Sequence, residues 1–97
     1  MKIQSHETDL IGKWRVSGSV VEKDQTSRRI ETLVRDHLRL LGSDSSGWDT
    51  LYVDTADGRL WELTYPQSDV EGGGPPRLTC VERNQVVTKY KHLLDVG

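Results

Sequence analysis

Apolar positions along this 97-residue chain change their spacing from two to three-and-four and back, and each change marks an element. In residues 10–16, Leu10, Trp14 and Val16 share one parity with Gly12 between them, which predicts a short strand. Ser17-Gly18 is a turn signal, and residues 19–22 predict a brief returning strand. Ile30, Leu33, Val34, His37, Leu38 and Leu41 then recur at three and four, the stripe of an α-helix. Asp24, Thr26 or Ser27 would cap its start and Gly42 would stop it, while Arg28, Glu31, Arg35, Asp36 and Arg39 form its solvated face. In residues 48–53, Leu51 and Val53 alternate with Thr50 and Tyr52. After a turn over 54–58 ending in Asp57-Gly58, Trp61, Leu63 and Tyr65 share a face in residues 59–65, so the two runs predict a β-hairpin.

Pro66 closes that second strand. Residues 66–76, with Gly72-Gly73-Gly74-Pro75-Pro76, form a long surface loop, since glycine and proline exclude regular structure. Leu78 and Cys80 alternate with Thr79 and Val81, which predicts a third sheet strand buried on both faces. Val86, Val87, Tyr90, Leu93 and Leu94 form a second helical stripe over about 82–94. The expected fold is α+β, in the order β-(β)-α-β-β-β-α. It is a three- or four-stranded, mostly antiparallel sheet with two helices packed on one face. Residues 1–97 are expected to make a single domain, with 1–8 a flexible N-terminal tail.

Charge adds an asymmetry that the net value of −2 conceals. Residues 1–43 carry eight Lys/Arg against six Asp/Glu, and residues 72–97 carry four against two. Residues 44–71 carry only Arg59 against Asp44, Asp49, Asp54, Asp57, Glu62, Asp69 and Glu71. An acidic middle repels phosphate backbones and attracts basic proteins. Three Trp and three Tyr among 34% hydrophobic residues suit a folded chain. No apolar run approaches the ~20 residues of a membrane helix, and the first residues lack a signal-peptide core. With the lone Cys80, this makes the cytoplasm the expected location.

No catalytic residue can be assigned. His6, His37 and His92 are scattered over tail, helix and C-terminus, and Cys80 reads as a small buried hydrophobe. No His or Cys spacing suits a metal, and Gly72-Gly73-Gly74 lacks the Gly-Lys-Ser/Thr of a phosphate loop, so no cofactor or metal is expected. The aromatic-rich segment is the acidic one, which argues against direct binding of nucleic acid. Aromatics among carboxylates instead suit a protein interface facing a basic partner, with Trp48, Asp49, Asp54, Asp57, Asp69 and Glu71 as the candidate contacts. The alternative is a small-ligand or metal-binding regulatory domain, its pocket lined by the Trp/Tyr strand face and covered by the glycine loop.

Gly47-Trp48-Asp49, the run Glu62-Leu63-Thr64-Tyr65-Pro66 and Gly72-Gly73-Gly74-Pro75-Pro76 together carry a resemblance. The sequence resembles immunity protein family twenty-seven of the bacterial polymorphic toxin systems, from Leu10-Ile11-Gly12-Lys13-Trp14 through Arg29-Ile30-Glu31 to Lys89-Tyr90. The resemblance implies a cytoplasmic protein without enzyme activity that binds and neutralises a cognate toxin domain. The acidic middle would then complement a basic toxin, such as a nuclease that grips phosphate.

Overall fold

The computed structural model describes residues 2–69 and 73–94. Strands β1 (Asp9–Ile11), β4 (Arg39–Ser43), β5 (Thr50–Val53), β6 (Leu60–Thr64) and β7 (Arg77–Val81) form an antiparallel sheet in the order β1-β7-β6-β5-β4. Strands β2 (Trp14–Ser17) and β3 (Val20–Lys23) make a separate hairpin. Helix α1 (Gln25–Thr32) runs into a π-helical turn (Leu33–His37), and two short helices follow β7, α2 (Arg83–Val86) and α3 (Lys91–Leu94). The main sheet is therefore five-stranded, wider than expected.

The expected single strand over 10–16 is two strands because the chain changes partner at Gly12. Leu10 faces Leu78 of β7, whereas Trp14 faces Lys23 of β3. Gly12 N donates to Pro76 O at 2.8 Å, and a Cβ there would sit 2.5 Å from Ser27 Oγ, so only glycine lets the backbones approach this closely.

Asp24 caps α1 as expected, its carboxylate accepting from Ser27 N at 2.7 Å. The helix does not continue to Leu41. Leu38 is extended, its N–H closing the π-helical turn on Leu33 O, and residues 39–43 form an edge strand on β5. Leu38 enters the core on one face of the sheet and Leu41 packs into the core on the other, which no single helical stripe could do.

Pairing assigns the two faces. Trp61 lies opposite Tyr52 and Cys80, and Leu63 opposite Thr50 and Leu78, so these side chains share a face. Ile3, Ile30 and Leu33 bury them. Leu51 and Glu62 pair on the other face, where Val86, Tyr90 and Leu94 form a second core against Leu51. The helices thus cover opposite faces of the sheet, correcting the expectation that both pack on one. The second helical stripe is split between α2 and α3, with a turn between them and a reciprocal cap of Glu82 and Gln85 at the start.

Two further segments, the N-terminal residues and the glycine–proline run, make contacts with the rest of the fold. Within the expected tail, Ile3 is buried, Glu7 accepts from the Arg29 guanidinium at 2.6 and 2.7 Å, and Arg59 donates to the carbonyls of Gln4 and Glu7. In the expected surface loop, Gly74, Pro75 and Pro76 are buried. Gly74 adopts φ +77° against the backbone of Gln67, an approach no Cβ would allow.

Candidate functional site

The β4–β5 connection is braced by one carboxylate. Asp44 Oδ1 accepts from Ser46 Oγ at 2.7 Å and from Gly47 N at 3.1 Å, and the Asp44 N–H donates to Asp49 O at 2.9 Å. The Ser46 bond, with smaller help from Asp49 and Gly47 backbone bonds and the Lys89 charge, holds the Asp44 pKa below the ordinary carboxylate range despite some desolvation. Gly47 takes φ +80°, and the Trp48 N–H donates to Ser46 Oγ at 3.1 Å. The loop is thereby fixed with Trp48 at its end, 56% exposed.

Strand alternation then sends the neighbours Trp48 and Asp49 to opposite sides of the sheet end. Trp48 meets Tyr65 edge-to-face with ring centroids 6.4 Å apart. Asp49 meets Lys89, whose ammonium lies 2.6 Å from Asp49 Oδ2 and 2.7 Å from Glu62 Oε2. Burial lowers the Lys89 pKa, but the two carboxylate bonds outweigh it and the net shift is upward. The other Glu62 partner is the Tyr90 hydroxyl, which donates to Oε2 at 2.7 Å. Burial first, and then this bond, push the Tyr90 phenol far above its ordinary value. Two carboxylates, Asp49 and Glu62, thus hold one ammonium on the side of the sheet end away from Trp48, while Asp44 braces the loop between them.

The carboxylates at the other end of β5 do not join this arrangement. Asp54 is 1% exposed, accepts from Ala56 N at 2.9 Å, and stands 3.2 Å from His37 Nε2 without a well-aligned hydrogen bond. Named among the candidate contacts, Asp54 is buried here and its carboxylate organises the β5–β6 turn. Asp57 is exposed but held by Arg59 at 2.7 Å, and the Arg59 guanidinium lies 5.0 Å over the Trp61 ring. Asp69 is exposed, while Glu71 and Gly72 lie outside the described residues. Of the motif residues, Glu62, Leu63, Thr64 and Tyr65 belong to β6 or its end, with Leu63 in the first core. Pro66 begins the following turn, Gly73 stays half-buried, and Gly74, Pro75 and Pro76 are buried.

Sequence reasoning missed two supports. The role of Asp44 was hidden because any Asp beside Ser and Gly reads as a turn residue. The Lys89 link spans 40 positions from Asp49 and leaves no periodic trace. His37 borders Asp54, and His92 Nε2 lies 2.9 Å from the backbone oxygen of Ser43. Among the described residues, no group of three or more His, Cys, Asp or Glu is arranged to hold a metal, and no helix is long and apolar enough to cross a membrane.

A braced, exposed tryptophan beside carboxylates is the kind of surface that a binding protein offers a partner. The family model described as immunity protein 27 matches residues 16–82, and the chain belongs to that family. Its function is accordingly that of an immunity protein, neutralising a cognate polymorphic toxin without catalysis of its own. The match is narrower than the resemblance read from Leu10 to Tyr90, stopping short of Lys89 and Tyr90. No curated protein and no solved structure significantly matches the chain.

Proposed function

We propose that the toxin is held at the β4–β5 end of the sheet, with Trp48 as the central anchor and the Asp44 carboxylate adding negative charge at its margin, while Asp49, paired with Lys89, fixes the loop from the other side. The observation that carries this reading is the exposure of Trp48 on a loop held by hydrogen bonds to and from Asp44 and Ser46. Such preorganisation lets an aromatic bind with little further loss of conformational freedom. A basic toxin surface fits this margin, as on a nuclease that grips phosphate, and Asp69 adds exposed negative charge to the same acidic segment. The single cysteine suits action in the reducing cytoplasm of the producing cell and its kin.

The test uses the cognate toxin domain. Trp48→Ala should leave stability within about 1 kcal/mol, because the side chain is mostly solvated. It should weaken the complex about 30-fold, the loss of an interfacial anchor worth ~2 kcal/mol, and reduce rescue of growth on co-expression. Unchanged affinity in the folded variant refutes the placement.

A further inference from the structure

Beside this site, between the β2–β3 hairpin and α1, lies a cleft of about 200 Å³. Trp14, Ile30, Val34, Leu63, Tyr65 and Pro76 line it, together with the exposed Lys23–Glu31 ion pair, whose atoms are 2.6 Å apart. Its walls are mostly apolar and two of them are aromatic. Tyr65 lines the cleft and also receives the edge-to-face contact of Trp48, so cleft and candidate site share a wall.

We propose that this cleft is the anchor pocket for one aromatic side chain of the toxin, entering beside Trp48. The proposal rests on the reading that the toxin docks at Trp48, since continuity through Tyr65 is what brings a toxin surface over the opening. The volume suits the occupant, because an apolar cavity of about 150 Å³ already accepts benzene. The walls suit it too, because Trp14 and Tyr65 can meet a third ring edge-on or offset. The Lys23–Glu31 pair leaves one ammonium and one carboxylate at the cleft, matching the polar margin that surrounds buried anchors.

The wild-type protein carrying 5-fluorotryptophan at its three tryptophans reports on both contacts by fluorine NMR when the cognate toxin domain is added. The Trp14 resonance should move together with that of Trp48. Movement of Trp48 alone overturns the pocket and keeps the docking site, whereas movement of neither overturns both. A second variant reads the same pocket by occlusion. Val34→Phe fills the cleft from its half-buried wall, and should lower toxin affinity at least 10-fold with the melting temperature kept or raised. Unchanged affinity in that stable variant identifies the cleft as a packing void and overturns the proposal.

Discussion

The two ends of strand β5 carry the same kind of sequence, an aspartate-rich turn beside glycine, and the fold puts them to opposite uses. At the Asp44–Asp49 end, one aspartate braces the loop, another takes an ammonium from the C-terminal region, and a tryptophan is left in solvent. At the Asp54–Asp57 end, one aspartate is buried beneath the turn beside His37 and the other is paired two residues away with Arg59. The first end presents a surface and the second completes a fold. A count of carboxylates over 44–71 treats these ends alike. Burial and counter-charge decide how much of that charge a partner meets.

The comparison breaks most sharply at Asp54. Asp54→Ala removes a buried acceptor from Ala56 N and leaves His37 without its carboxylate. It should destabilise the protein by roughly 2–3 kcal/mol, measured by urea unfolding, while the folded fraction keeps its toxin affinity. Loss of affinity without loss of stability would place Asp54 at the interface.

Alkaline pH should test the other end. The Tyr90 pKa is raised in the folded state, so its contribution is complete below the ordinary value of 10.0 and is lost as pH rises above it, when the unfolded phenol ionises first. The loss steepens from pH 10 toward a limit of about 1.4 kcal/mol per pH unit as the unfolded phenol becomes fully ionised. Lys89, also raised, acts in the same direction but is partly screened by solvent. Hydrogen exchange at the amides of 83–94 should accelerate there before that of the β5–β6 turn. Simultaneous loosening of both ends would show that the Glu62–Lys89–Tyr90 network does not stabilise one end separately.

The smallest effect is expected at Asp57. Two Arg59 hydrogen bonds, the backbone one first and then the guanidinium, lower its pKa, yet the pair is exposed. Asp57→Asn should change stability by less than about 0.5 kcal/mol and leave association with the toxin domain as fast as before. A slower association would mean that Asp57 steers the partner despite its pairing.

Much of this was legible in the sequence because it follows from local geometry. Alternation placed Trp61, Leu63 and Tyr65 on one face of β6, and the Asp24 cap opened α1. The segment Leu38-Arg39-Leu40-Leu41 was not legible, since so short an apolar run fits helical and strand periods alike. Its outcome was decided by β5, which offered an edge to pair with. The candidate site divides in the same way. Trp48 and Asp49 could be read from the chain, but Asp54 reads as one more surface carboxylate until His37 and the turn close over it.

By itself, the sequence determined which residues alternate, where the helix begins and which segment is rich in carboxylates, because these depend on bonds and neighbours within a few residues. The tertiary structure alone decided that the helices cover opposite faces, that Lys89 joins Asp49 to Glu62, and that Trp48 rather than Asp54 meets solvent. Those outcomes depend on which distant groups share the removal of water. Burial and ion pairing act through space, at separations along the chain that no local pattern records.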